Sequence, residues 1–195
     1  MKKALLPLLV VLSLSAFAFA GSESFSINFE QYAGYTQITN QYTASDLVTF
    51  QNSLQLVAPG YDYFDYPPHS GNGVITNDPN NPIIVTFSNA MQFVSGWYAA
   101  PAGITVDAYN SAGQLINTFN GSAVVGSDLQ FMISSTVSGG YISYITIASD
   151  NGQPDSEIVD DLFFSVPEPA ELSLLIPGLF GVGTVLRRRL VAAKT

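Results

Sequence analysis

Between residues 21 and 166, apolar side chains recur at every second position, in short runs broken by Gly, Pro, Asn and Asp. No window there shows the i, i+3, i+4 spacing of an amphipathic helix. Phe25, Ile27 and Phe29 alternate with Ser24, Ser26 and Asn28, which reads as a half-buried strand ending near Glu30. The same reasoning predicts strands at Leu47–Phe50, Leu54–Val57, Gly73–Thr76, Ile83–Phe87, Met91–Tyr98, Leu129–Ile133, Tyr141–Ala148 and Ile158–Ser165. Ile104, Val106 and Ala108 lead to Asn110-Ser111-Ala112-Gly113, and Leu115 to Phe119 return. That is a hairpin in which Gly113 supplies a positive φ. Residues 58–82 are long-loop chemistry around the short strand at Gly73. Roughly ten short strands separated by regular turn signals predict an all-β domain, a β-sandwich or jelly roll.

The two ends differ in kind from this middle. Lys2 and Lys3 precede an apolar run from Ala4 to Leu14, and Ala18-Phe19-Ala20 offers a small-x-small cleavage site before Gly21. This is the layout of a secretory signal peptide, a signal helix over 1–20 that is removed. At the other end, Val166-Pro167-Glu168-Pro169 is followed by an uncharged apolar run, Leu172 to Leu186, and then by Arg187, Arg188 and Arg189. The prolines disfavour helix at Val166 and Glu168, so the triplet reads as extended and open to a processing enzyme. The run 172–186 reads as a transmembrane helix, with the arginines held on the cytoplasmic side. Fifteen helical residues reach only about 22 Å, short of a ~30 Å hydrocarbon core. Pro177, Gly178, Gly181 and Gly183 weaken the helix further, so the span suits a temporary anchor. The domain organisation is therefore 1–20 signal peptide, 21–166 sandwich and 167–195 sorting tail. A permanent single-span anchor is the plainer alternative.

All six basic residues lie in those ends. From Gly21 to Val166 there is no Lys or Arg, against thirteen Asp and Glu, giving the middle a formal charge of −13 compared with −9 for the whole chain. Such a surface repels phosphate backbones and excludes a nucleic-acid partner, whereas cations and neutral ligands suit it. A buried carboxylate cannot be paired with Lys or Arg and needs hydrogen bonds or a metal. There is no cysteine and only one histidine, His69, so disulfides, zinc–thiolate sites, thiol nucleophiles and multi-histidine centres are all excluded.

The tail, with its Pro-Glu-Pro triplet, apolar run and arginine cluster in that order, resembles the PEP-CTERM sorting signal of exosortase substrates. The resemblance covers about thirty residues and implies an exported protein of a bacterium with an outer membrane. It would be cut by signal peptidase at Gly21 and by an exosortase near the triplet after a transient stay in the inner membrane. It would then be released to the cell envelope or exopolysaccharide (biofilm) matrix. The middle more loosely resembles the galactose-binding or carbohydrate-binding-module-like jelly rolls that such proteins carry. The resemblance rests on Ile27-Asn28-Phe29-Glu30, Ala108 to Gly113, and Val159-Asp160-Asp161-Leu162-Phe163. It implies carbohydrate binding, with polysaccharide as the partner.

Two places carry candidate chemistry. In jelly rolls of that kind, acids where the first and last strands meet hold a structural Ca²⁺. Here Glu30, Asp160 and Asp161 occupy those places, and calcium favours several oxygen ligands. The alternative is that these acids are solvated or hydrogen-bonded. Asp150-Asn151-Gly152 to Glu157 lacks the spacing of a calcium loop and reads as a turn. Tyr61, Tyr63 and Tyr66, interleaved with Asp62, Phe64 and Asp65, have the composition of a sugar-binding platform, since ring faces stack on sugars and carboxylates accept hydroxyls. The alternative is an ordinary loop whose aromatics cover the sandwich. For catalysis, no G-x-S-x-G accompanies His69 and nothing selects a pair of carboxylates, so no catalytic residue is assigned. A secreted glycan-active enzyme and an adhesin that meets other proteins stand as alternatives.

Overall fold

The computed structural model describes residues 23–78, 82–136, 140–153 and 155–167. The predicted signal helix, its cleavage residues Ala18, Ala20 and Gly21, Glu168 and Pro169, the span 172–186 and Arg187 to Arg189 all lie outside the described residues. Among those described, eleven strands and one helical turn occur: β1 (Ser24–Ile27), α1 (Thr43–Asp46), β2 (Val48–Gln51), β3 (Ser53–Val57), β4 (Gly73–Asn77), β5 (Ile83–Met91), β6 (Phe93–Ala100), β7 (Ile104–Tyr109), β8 (Leu115–Gly121), β9 (Val124–Ser134), β10 (Ile142–Ser149) and β11 (Ile158–Ser165). They form a sandwich of two antiparallel sheets. Sheet I runs β3-β4-β11-β6-β9, with β1 also on β11; sheet II runs β2-β5-β10-β7-β8.

The chain changes sheets within single residues. Asn52 separates β2 in sheet II from β3 in sheet I, and takes φ 55°. That left-handed conformation is tolerated by Asn better than by most residues. Its side chain donates to Pro82 O at 2.9 Å, which holds the corner. Gln92 separates β5 from β6 in the same way. The hairpin β7–β8 forms as its pattern predicts. Asn110 Oδ1 accepts the N–H groups of Ala112 and Gln114, both at 3.0 Å, and Gly113 takes φ 72°.

The alternating side chains of the two sheets meet in one core, in which Ile75, Val94, Val159 and Leu162 of sheet I face Val85, Val106, Ile145 and Ile147 of sheet II. Aromatic pairs bridge the sheets: Phe87 with Phe164 at 5.2 Å, and Phe119 with Phe131 at 6.3 Å between centroids. The polar stretch 37–43 turns out to be anchored. It lies along β3, with Ile38 N donating to Ser53 O at 2.8 Å, and it buries Ile38 and Tyr42. Tyr42 meets Phe29 edge-on at 5.9 Å, and α1 follows as a single turn. Two well-placed apolar groups suffice to order a segment whose average composition is polar.

Strand β11 is the hub. One edge pairs with β6 throughout. The other is shared, β4 pairing with Ile158 and Val159 and β1 with Leu162 to Ser165. The handover falls at Asp160–Asp161, where β11 is bulged and Asp161 takes φ 46°. Bulges of this kind re-aim side chains beside functional regions.

Candidate ligand-binding cleft and carboxylate corner

The fifteen residues Ala58 to Asn72 join two adjacent strands, β3 and β4, and fold over the outer face of sheet I rather than over an end of the sandwich. The physical cause lies in β4, Gly73–Asn77, which is buried on both faces: Ile75 enters the main core while Val74, with Ala99 and Ile158, makes a second apolar patch outside it. Tyr61 and Tyr66 pack on that patch. Ala58 N to Asn72 O at 2.9 Å closes the base of the loop, Tyr66 N to Asp62 O at 3.1 Å forms its inner turn, and Gly126 N to Asp65 O at 2.7 Å ties it to β9. Tyr63 instead packs against Phe64, with centroids 4.2 Å apart, and Phe64 is 75% exposed.

The far end of the loop meets the bulge of β11. Ser70 N donates to Asp160 Oδ2 and Ser70 Oγ to Asp161 Oδ1, both at 2.9 Å, and Asp161 N donates to Asp160 Oδ1 at 2.7 Å. Glu30 Oε1 accepts the N–H groups of Asn72 at 2.9 Å and Gly73 at 2.7 Å. Glu30 thus meets the loop at Asn72 and Gly73, and Asp160 and Asp161 meet it at Ser70. The loop's N–H and O–H groups supply the hydrogen bonds that residues 21–166, lacking Lys and Arg, must find elsewhere. Burial, reinforced by Asp161, raises the Asp160 carboxyl to about 6, against the opposing pull of N–H groups from Ser70, Asp161 and His69. Among the described residues no three Asp, Glu or His side chains are grouped so as to hold a metal ion, and these carboxylates are turned to N–H donors instead. The donor set as built does not fit calcium.

His69 lies flat on Trp97, centroids 3.7 Å apart and planes within 6°, and its Nδ1 pairs with Asp128. The Ser70 hydroxyl is engaged with Asp161. The neighbouring Ser, His and Asp thus lock the loop down and are not linked as a relay.

Beside the loop opens a cleft of about 300 Å³. Tyr35, Tyr61 and Tyr66 supply aromatic walls, Leu54, Leu56 and Ile158 an apolar floor, and Asp62, Asp155 and Glu157 the carboxyl groups. Tyr35 is 70% exposed and held by its hydroxyl, which donates to Gly60 O at 2.9 Å. Glu157 is 1% exposed, and among the described residues neither its carboxylate oxygens nor the buried Tyr61 hydroxyl has a hydrogen-bond partner. Burial first, and Asp155 second, push the Glu157 carboxyl up to about 8. Burial, with Asp160 and Glu30 nearby, pushes the Tyr61 hydroxyl up to about 12.

Of the three tyrosines singled out in the sequence, Tyr61 and Tyr66 line this cleft, whereas Tyr63 faces Phe64. Tyr35, Asp155 and Glu157 were not legible as site residues. The available signal was an acid placed directly before the apolar run of β11 in a domain with no cation to pair it.

No family model matches the sequence, and no curated protein matches it. Among solved structures, the chain is similar to the K2 cleaved adhesin domain of Lys-gingipain, with 14% identity over 73% of this chain and 99% of that one and a TM-score of 0.49. It is also similar to a family 29 carbohydrate-binding module complexed with mannohexaose (10% identity, 74% and 92% covered, TM-score 0.46). A third similar structure is a low-affinity xylan-binding module from Roseburia intestinalis (13% identity, 73% and 94% covered, TM-score 0.41).

Proposed function

We propose that this chain is an exported, non-enzymatic jelly-roll-type sandwich that binds polysaccharide in the cell envelope or extracellular matrix. In this reading its tail is an exosortase signal that releases it from the inner membrane. The observation that carries the binding function is the cleft: three tyrosines and an apolar floor beside carboxylates, sized for a small polar ligand with apolar faces. The sorting part rests on the order of triplet, apolar run and arginines in the tail.

Tyr61 and Tyr66 also cover Val74, Ala99 and Ile158, so their removal would disturb the fold. Tyr35→Ala and Asp62→Asn are cleaner tests. On a glycan array probed with the full-length protein in mild detergent, binding to a polysaccharide should fall at least about tenfold in either variant, with the melting temperature retained. Failure to bind any glycan, or binding indifferent to both changes, overturns the proposal. Replacing Pro167-Glu168-Pro169 by alanines should retain the protein in the inner-membrane fraction of its native host. An unchanged distribution refutes the sorting part.

A further inference from the structure

Glu157 is almost fully buried, lines the cleft, and among the described residues finds no hydrogen-bond partner for either carboxylate oxygen. Burying a carboxyl group in that state is costly unless something arrives to compensate it. No lysine or arginine of the domain can do so, because residues 21–166 contain neither. With the cleft empty, burial keeps the carboxyl protonated; a cation that favours its ionised form must come with a ligand, and the surroundings suit one. Asp155 is close enough to Glu157 to perturb its carboxyl, and Asp62 also lines the cleft. Tyr35, Tyr61 and Tyr66 complete the lining, and tyrosine faces attract cations as well as sugar C–H surfaces.

A bare metal ion fits poorly. Among the described residues no metal-holding group of His, Asp or Glu is present, and hard cations demand several oxygen ligands. A neutral sugar hydroxyl could pair with the protonated Glu157 carboxyl but would make no use of the acidic lining that Asp62 and Asp155 add. The cleft volume, at the lower end for small-ligand sites, suits a ring or two.

From this geometry we infer that the cleft selects an amino sugar with a free ammonium group, a unit of a cationic polysaccharide, through Glu157 and its neighbouring carboxylates. The inference rests on the carbohydrate-binding reading above and narrows it to a chemical class. Because the Glu157 carboxyl is held protonated by burial near neutral pH, seating an ammonium beside it expels that proton to solvent. Binding is thus coupled to proton release.

The test is calorimetric titration of the full-length protein with three hexasaccharides of one backbone geometry: β-1,4-linked glucosamine, its N-acetylated form and glucose. The glucosamine oligomer should bind at least about tenfold more tightly than the other two. At about pH 5.5, where the oligomer's amino groups are already protonated before binding, in buffers of differing ionisation enthalpy, its binding should release close to one proton. Glu157→Gln should bring the three affinities within about twofold and abolish the release, whereas Asp46→Asn, a charge removed elsewhere on the fold, should change neither.

Equal binding of the three oligomers by the wild type overturns the inference but leaves carbohydrate binding standing. Binding of none overturns both. A preference that survives Glu157→Gln, or that is equally lost in Asp46→Asn, reduces it to general attraction of a cation to an acidic surface and overturns the assignment. Tighter binding of a lysine-containing hexapeptide than of the glucosamine oligomer overturns it in favour of a protein partner.

Discussion

Glu157 also makes a prediction about stability. Its carboxyl sits at about 8 in the folded protein against 4.5 for an ordinary glutamate, chiefly because burial removes it from water. At about 1.4 kcal/mol for each tenfold change in proton affinity, the difference corresponds to about 5 kcal/mol. Below pH 4.5 both folded and unfolded chains hold the proton, so there is no effect. Between 4.5 and 8 only the folded chain holds it, and stability falls as pH rises; above 8 the whole amount has been lost. Glu157→Gln should remove this slope. Urea unfolding followed by the fluorescence of Trp97, the only tryptophan, should show the variant and the wild type equally stable near pH 4.5. The variant should lead by up to about 5 kcal/mol above pH 8. Asp160, raised to about 6 from 3.8, should leave a smaller slope of the same sign below pH 6 in both proteins. A wild type whose stability does not fall between pH 6 and 8, or a variant that keeps the full slope, would refute the reasoning.

Further predictions concern the fold and its corner. A Cβ on Gly73 would collide with the Phe29 carbonyl oxygen, which is backbone and cannot swing aside, so Gly73→Ala should cost about 3 kcal/mol or prevent folding, read from the urea midpoint. Phe164 is fully buried between Phe25 at 5.5 Å and Phe87 at 5.2 Å, and Phe164→Ala should lose about 3–5 kcal/mol in the same assay. Because Glu30 and Asp160 are satisfied by N–H donors, neither EDTA nor millimolar Ca²⁺ should move the melting temperature. A rise with calcium would show that the corner rearranges to take the ion.

Much of the strand pattern was present in the alternation itself. β11 matches the expected Ile158–Ser165 end to end, and β3, β4, β5 and β6 differ from expectation only at their ends. β9 is longer than the pattern implied, beginning at Val124, because its first residues are exposed on an edge strand and show no period. Glu30, Asp160 and Asp161 were singled out from a resemblance, and each takes hydrogen bonds from residues 70–73. Those donors, the N–H groups of Ser70, Asn72 and Gly73 and the Ser70 hydroxyl, lie some ninety positions from β11 and left no trace in the local pattern.

By itself, the sequence determined three things: the class of fold, since period-two alternation is a local consequence of strand geometry; a middle domain without a cation; and the export-and-sorting expectation carried by the two ends. Only the tertiary structure decided that the aromatic loop lies over the outer face of sheet I. It also decided that Tyr35, Asp155 and Glu157 join Tyr61 and Tyr66 around one cleft. These residues are separated by up to 122 positions, from Tyr35 to Glu157. Strand order, which no local pattern encodes, sets their meeting, and it leaves a buried carboxyl with no partner of its own.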